Sequence, residues 1–164
     1  MRRRVAGALL LGAILGLFPT LSRPSDRTPK PPLAVQVIRI IDGDTIEVCC
    51  VSGKREKVRY IGVNTPETKH PTKGVEVFGK EAAEVNRKLV TGKSLRLEFD
   101  VQQRDRNGRL LAYVYLGDGT FVNAWLVEQG YAQVMTVPPN VRHQDLFLKL
   151  QREAREGGRG LWGR

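Results

Sequence analysis

Cysteine is scarce in this chain of 164 residues, because it occurs only at Cys49 and Cys50. Successive side chains of a strand point to opposite faces, so two adjacent cysteines in an apolar strand are badly placed to form a disulfide with each other. The sequence also lacks a CxxC pair and any cysteine–histidine cluster with zinc spacing. A disulfide scaffold and a zinc module are therefore excluded. Two alternatives stay open for the thiols: ordinary strand residues, or an exposed thiol that forms an intermolecular disulfide.

Internal repeats are absent, and one long apolar run stands out, from Val5 to Leu21 after Arg2-Arg3-Arg4. Basic residues before an apolar stretch are typical of export signals. The run is at the lower length limit for a membrane span, and no Ala-x-Ala cleavage site follows it. The sequence predicts that residues 1–22 are a signal peptide or an N-terminal membrane anchor. Either predicts a domain outside the cytoplasm, secreted or periplasmic, that contacts the membrane only if the segment is uncleaved.

Residues 23–34 contain four prolines without an apolar period, which predicts an extended linker. The remaining residues, 35–164, are enough for one compact domain with one hydrophobic core. They contain 21 Lys and Arg against 16 Asp and Glu, so the domain is basic. A basic domain suits a polyanion such as nucleic acid and equally suits solubility, so charge alone does not identify the partner.

Alternating apolar residues and turn signals predict five strands, and apolar residues at helical spacing predict three helices. The strands are expected over 35–41, 45–48, 57–63, 94–99 and 110–116, and the helices over 78–89, 122–129 and 146–154. Asn107-Gly108 predicts a hairpin turn before the fifth strand. A helix between the third and fourth of five strands predicts an α+β, mainly β fold: a five-stranded OB-fold barrel with three helices.

Polar residues gather in the turn between the first and second predicted strands and directly after the third. Asp44, Asn64 and Thr65 offer oxygen ligands of the kind that Ca²⁺ and Mg²⁺ prefer, although ordinary turn chemistry also explains them. Arg59 and Arg109 carry guanidinium forks that match phosphate oxygens, with surface ion pairs as the alternative. A carboxylate near a metal can activate water as a general base, and Glu67 is placed for this or for an ordinary surface loop.

Several motifs together resemble the thermonuclease family, the staphylococcal-type (micrococcal) nucleases. They are Ile41-Asp42-Gly43-Asp44-Thr45, Arg59 with Asn64-Thr65-Pro66-Glu67, Asp105 with Arg109, and the terminal Leu161-Trp162. The resemblance covers about residues 35–162. It implies a Ca²⁺-dependent phosphodiesterase that hydrolyses DNA and RNA with little sequence specificity and leaves 3′-phosphate ends. We expect a monomer with one Ca²⁺ ion that acts on single-stranded or frayed nucleic acid.

The resemblance also implies roles for individual residues. Catalysis is expected from Arg59, Glu67 and Arg109. The metal is expected at Asp44, Asn64 and the Thr65 carbonyl, with Asp42 behind these ligands. Further nucleic-acid contacts are expected at Arg106, Lys73 and Tyr113.

Two positions depart from the family pattern. Asn64 stands where the reference pattern has Asp, which removes one negative charge from the metal site. Residues 135–138 lack the two tyrosines that pack on the nucleotide, so base stacking is weakened. The main alternative function is a non-catalytic OB-fold nucleic-acid-binding module outside the cytoplasm, which is expected to have lost an arginine or the glutamate of the catalytic set. A third alternative is an adhesion or carbohydrate-binding domain. It does not explain why the two arginines and the acidic turn occur together.

Overall fold

The computed structural model describes residues 33–50, 53–66 and 78–163. Its strands are β1 Leu33–Asp42, β2 Thr45–Cys50, β3 Arg55–Tyr60, β4 Gly62–Asn64, β5 Ser94–Glu98, β6 Leu110–Leu116 and β7 Gln133–Met135. Its helices are α1 Gly79–Val90, α2 Val122–Glu128 and α3 Gln144–Glu156, followed by a 3₁₀ turn Gly160–Trp162. The predicted signal or anchor, most of the predicted linker, Glu67 and Lys73 lie outside the described residues.

Five of the strands form a closed barrel in the order β1-β2-β3-β6-β5. The pairs are antiparallel except β3 with β6, which run parallel and close the barrel. Three α-helices accompany the barrel in the described part of the chain. The predicted five-stranded OB-type barrel with three helices is confirmed, and β1 begins two residues before the predicted domain boundary.

Strand alternation explains where the core lies. Val58 and Tyr60 of β3 are buried, and so are Leu110 and Ala112 of the parallel neighbour β6. The residue between each pair, Arg59 or Leu111, is only partly buried. Each fully buried aliphatic side chain stabilises the fold by about 1.5–3 kcal/mol. This apolar interior fixes the register of β3 against β6. The side chains of Arg59 and Leu111 therefore point outward.

The predicted third strand, residues 57–63, is divided in the structure. β3 ends at Tyr60, and after a bend β4 leaves the barrel to pair with β7 in a separate two-stranded sheet. Gly62 makes the bend possible, because its backbone has a φ of +79°. A Cβ at this position would lie 2.4 Å from Cε2 of Phe147 on α3. The strand prediction was therefore wrong at Gly62, where a contact with a distant helix overrides local alternation.

The three predicted helices are confirmed, but the buried face of α3 differs from the predicted face. In α1, Ala82 is buried and Val85 and Leu89 pack against the core, as their spacing predicted. In α3, however, the buried side chains include Phe147, whereas Leu146 is 39% exposed. A spacing of four residues drifts around a helix of 3.6 residues per turn, so spacing alone did not identify the buried face correctly.

Two further features of the described residues bear on the sequence predictions. Cys49 and Cys50 are free thiols, and both are partly exposed. This confirms that they do not bridge each other. Within residues 33–50, 53–66 and 78–163, no helix has the length and apolarity that crossing a membrane requires.

Candidate active site

The two predicted catalytic arginines lie on the outer side of neighbouring parallel strands. Arg59 of β3 is opposite Leu111 of β6 in the strand register. Arg109 is two residues before Leu111, and side chains two positions apart share one face of an extended segment. The parallel pair therefore brings together two arginines that are fifty positions apart in the sequence.

Both guanidinium groups line one surface cleft of about 320 Å³. The cleft is bounded by β3 and β4 on one side, by the hairpin before β6 on another, and by the segment after β7. Its remaining lining residues include Gly62, Gln102, Asp105, Arg106, Leu111, Met135, Val137 and Pro138. Polar and cationic groups thus face an apolar rim across a space large enough for part of a nucleotide.

Arg59 is held firmly from several directions. Its Nη1 atom donates hydrogen bonds of 2.7 Å to the carbonyl oxygens of Tyr60 and Val63, which bracket the bend at Gly62. Its Nη2 atom donates to Oδ1 of Asn64 at 3.0 Å and forms an ion pair of 3.1 Å with Oδ2 of Asp44. Arg59 therefore stabilises the bend and also places positive charge beside the predicted metal ligands.

Arg109 is oriented by the hairpin that carries it. Its Nε atom donates to Oδ2 of Asp105 at 2.6 Å, and its backbone N–H donates to Oδ1 of the same carboxylate at 3.0 Å. Partial burial acts to raise the pKa of Asp105, but the hydrogen bonds and charge of Arg109 outweigh it and lower that pKa. Asp105 consequently remains ionised at neutral pH and fixes the Arg109 side chain from one direction.

The Asn107-Gly108 turn is confirmed. The Gly108 N–H donates to the Asp105 carbonyl at 3.0 Å, and Gly108 adopts a φ of +76°. A side chain outside the turn also holds it: Arg104 donates from Nη1 to the Gly108 carbonyl at 2.7 Å. Arg104 makes two further bonds, of 3.0 and 2.9 Å, to the carboxylate of Glu56 on β3. The Glu56–Arg104 pair therefore links the Arg109 hairpin to the strand that carries Arg59.

The acidic turn between β1 and β2 presents Asp44 to the same region. Its Oδ2 atom accepts the Thr65 backbone N–H at 2.8 Å, and its Oδ1 atom accepts the Thr45 hydroxyl at 3.0 Å. Gly43 allows the close approach, because a Cβ there would lie 2.7 Å from the Thr65 hydroxyl oxygen. Asp42 accepts the Gly43 N–H at 2.9 Å and shapes the turn. Together these contacts fix Asp44 beside Thr65.

The residues at this point suit a hard cation. The Asp44 and Asn64 oxygens converge on one positively charged nitrogen, Nη2 of Arg59, at 3.1 and 3.0 Å. Asp44 is itself buried, and the hydroxyl oxygen of Thr65 is buried with no hydrogen-bond partner in the described part of the chain. No described group of three or more His, Cys, Asp and Glu could hold a metal. Oxygen donors of this kind are the ligands that hard cations such as Ca²⁺ and Mg²⁺ prefer.

The remaining predicted residues differ in whether they line the cleft. Arg106 is exposed and lines the cleft, as a nucleic-acid contact requires. Tyr113 does not line it: the side chain is 1% exposed, and its hydroxyl donates to Asp100 at 2.8 Å among the aromatic rings of the core. Strand alternation did not reveal this, because helices cover the outer side of β6 at Tyr113. Glu67 and Lys73 belong to the part of the chain that the structure does not describe.

Several residues that shape the site were not identified from the sequence. They are the Glu56–Arg104 pair and a buried pair formed by Tyr60 and Asn86. Both pairs join segments far apart in the chain and had no local signal. Asp105 was identified as part of a motif with Arg109, and the structure shows that the two form an ion pair.

Comparison with known proteins identifies the family of this chain. The family model described as staphylococcal nuclease homologue matches residues 57–164, which include most of β3, all of β6 and all three helices. The chain belongs to the staphylococcal nuclease homologue family. The predicted resemblance to this family is therefore confirmed.

Named relatives of this staphylococcal nuclease homologue include two thermonucleases. That of Staphylococcus hyicus is 39% identical over 142 residues, which cover 87% of this chain and 79% of the relative. That of Staphylococcus intermedius is 42% identical over 128 residues, or 78% and 75% of the two chains. Endonuclease YncB of Bacillus subtilis is 41% identical over 143 residues, or 86% and 67%. The family and these relatives support a nuclease, a hydrolase that acts on nucleic acid.

Proposed function

We propose that this protein is a Ca²⁺-dependent phosphodiesterase that hydrolyses DNA and RNA with little sequence preference and leaves 3′-phosphate ends. The observation that supports this most strongly is the shared cleft of Arg59 and Arg109, with the oxygens of Asp44 and Asn64 in contact with Arg59. A non-catalytic binding module needs positive charge but does not need two oriented guanidinium groups beside a set of hard oxygen ligands.

In the proposed mechanism the two arginines bind the non-bridging oxygens of the scissile phosphate. Guanidinium forks stabilise the charge that grows on those oxygens as water adds to phosphorus and the bond from phosphorus to the 5′ oxygen breaks. Asp44, Asn64 and the Thr65 carbonyl would hold Ca²⁺, with Asp42 behind them, and the bound ion would add further positive charge beside the phosphate. By family resemblance, Glu67 accepts the proton of the attacking water.

The rim of the cleft supports weak sequence preference. Met135, Val137 and Pro138 are apolar, and the sequence has no aromatic residue at positions 135–138. Aliphatic side chains can contact the face of an unpaired base but cannot read the hydrogen-bonding pattern of its edge. Single-stranded or frayed nucleic acid, recognised mainly through phosphate by Arg106 and the two catalytic arginines, is the proposed substrate. The charged start and apolar run of residues 2–21 support export of the domain.

The direct test is hydrolysis of denatured DNA and of RNA by the purified protein with Ca²⁺ and with a chelator. We expect cleavage with Ca²⁺, none with the chelator, and products that a polymerase can extend only after phosphatase treatment. The Arg59→Ala/Arg109→Ala double variant, purified in the same way, controls for contaminating nucleases. Binding of single-stranded DNA without cleavage would instead identify a non-catalytic module.

A further inference from the structure

A buried polar pair lies beneath the proposed cation site. Tyr60 is 1% exposed and Asn86 is 0% exposed, and the tyrosine hydroxyl donates to Oδ1 of the asparagine at 3.0 Å. Burial raises the pKa of Tyr60 far above its ordinary value, so the hydroxyl remains a donor. Buried polar groups are costly unless they are hydrogen-bonded, and an apolar pair of similar shape would fill the same space. The pair therefore calls for an explanation beyond packing.

Its hydrogen bonds lead to the acidic turn. Nδ2 of Asn86 donates to the Asp42 carbonyl at 3.4 Å, a long bond to the first residue of the Asp42–Asp44 turn. The backbone N–H of Tyr60 donates to the Asp44 carbonyl at 3.0 Å. The Tyr60 carbonyl in turn accepts the Arg59 Nη1 hydrogen bond of 2.7 Å. The Asn86 side chain thus contacts one end of the turn and the Tyr60 backbone contacts the other end and Arg59, while the Tyr60 hydroxyl joins the strand to the asparagine.

Helix α1 packs on the turn at the same place. An added Cβ at Gly43 would lie 2.9 Å from Cβ of Ala82, which precedes Asn86 by four residues. Residues four apart share one face of a helix, so α1 presents Ala82 and Asn86 together to the turn. Ala82 limits how closely the turn approaches, and Asn86 provides the hydrogen bond that fixes it.

We propose that Tyr60 and Asn86 are positioning residues for the cation site: they tie the Asp42–Asp44 turn to α1 and so fix the Asp44 carboxylate and the Arg59 guanidinium. The inference rests on the proposed function, because it assumes that Asp44 binds Ca²⁺. Neither residue touches the substrate or the ion. Outer partners that orient metal ligands commonly change metal affinity by about 10- to 100-fold when they are removed.

Four variants of the full chain separate positioning from a merely structural role. Tyr60→Phe leaves the Asn86 oxygen without its donor, and Asn86→Leu leaves the Tyr60 hydroxyl without its acceptor. The double variant Tyr60→Phe/Asn86→Leu leaves neither side chain of the pair orphaned, because leucine has nearly the shape of asparagine, but the Asp42 carbonyl still loses its Asn86 donor. The matched control is Tyr113→Phe, since Tyr113 is equally buried and its hydroxyl donates to Asp100, away from the turn.

The measurements are Ca²⁺ affinity by calorimetry without substrate, the urea midpoint, and the exchange rate of the Thr65 amide, which donates to Asp44. We expect each single variant to lose about 10-fold in Ca²⁺ affinity. The double variant should regain much of the stability while its affinity stays low and its Thr65 amide exchanges faster. Tyr113→Phe should lose stability but keep the wild-type affinity.

Two results would overturn the inference: recovery of Ca²⁺ affinity in the double variant together with its stability, or an equal loss of affinity in Tyr113→Phe. Failure of the proposed function is distinguishable, because wild-type protein would then neither bind Ca²⁺ nor cleave nucleic acid. In that event the Thr65 amide still decides whether the pair positions the turn, since its exchange is measured without metal. Unchanged exchange in both single variants would contradict positioning.

Discussion

Arg59 and Arg109 face the same cleft but are held in very different ways. The Arg59 side chain is 14% exposed. It contacts two backbone carbonyl oxygens and also the side chains of Asp44 and Asn64. Arg109 is 31% exposed and is oriented by one carboxylate, Asp105, on a hairpin. Groups that serve as hydrogen-bond donors to buried acceptors contribute to folding as well as to chemistry. The comparison teaches that Arg59 is also part of the architecture, whereas the Arg109 side chain is tied to the fold by a single carboxylate.

The largest effect is expected for Arg59→Ala. Removal of a phosphate-binding arginine costs about 10³-fold or more in rate. The carbonyl oxygens of Tyr60 and Val63 also lose the Arg59 donor, and Asp44 loses its ion pair while it keeps the Thr45 and Thr65 donors, which should lower the free energy of unfolding by about 3 kcal/mol. Kinetics on denatured DNA and urea unfolding measure the two losses separately. If Arg59→Ala were as stable as the wild type, Arg59 would contribute no more to the fold than Arg109, and the proposed difference between the two arginines would be wrong.

Arg109→Ala should cause a similar loss of rate with a much smaller structural effect. The exposed hairpin loses one ion pair, worth about 1 kcal/mol or less. Arg109→Lys, the matched variant, keeps the charge but cannot form the planar fork and should restore little of kcat. The same two assays apply. Wild-type turnover in either variant would remove Arg109 from the mechanism.

Asn64→Asp tests the side of the cleft on which Arg59 lies. An added carboxylate beside Asp44 should raise Ca²⁺ affinity about 10-fold, because charge count among the ligands tunes affinity. Calorimetric titration measures the change, and Gln133→Glu, the β4-facing position on β7, controls for added negative charge nearby. If Asn64→Asp and the wild type titrate identically, position 64 is not a ligand.

The smallest effect is expected for the Glu56–Arg104 pair on the Arg109 side. Hydrogen bonds from Arg104, then from Lys54, lower the pKa of Glu56 from 4.5 to about 2. A carboxyl group whose pKa is lowered in the folded protein stabilises the fold at pH values above its pKa in the unfolded chain. This contribution is lost as the pH falls from about 4.5 towards 2. Glu56→Gln should therefore be about 1 kcal/mol less stable at pH 7 and nearly equal to the wild type at pH 2. Urea unfolding across this range gives the difference, and a constant gap at every pH would contradict the assignment.

The sequence predicted the barrel well because its strands alternate and its turns carry strong signals. The site was predicted from motifs, and the structure brings its residues together: Arg59 contacts Asp44 and Asn64, and Arg59 and Arg109 line one cleft. Contacts between distant segments were beyond local pattern. Gly62 ends β3 because Phe147 lies against it, and Tyr113 is buried because packed aromatic side chains enclose it. In the sequence Asn86 is an ordinary polar residue of a helix, and only the structure shows that it contacts the acidic turn.

The parallel pairing of β3 with β6 has a consequence for how the protein acquires its activity. These strands are separated by β4, α1 and β5 in the chain, so their association is a long-range event that costs loop-closure entropy. Arg59 and Arg109 come into alignment only when that pairing forms. A nascent or partly folded chain without this strand pair therefore has the two arginines but no cleft, and hydrolysis of nucleic acid is expected to begin only once β3 and β6 have paired.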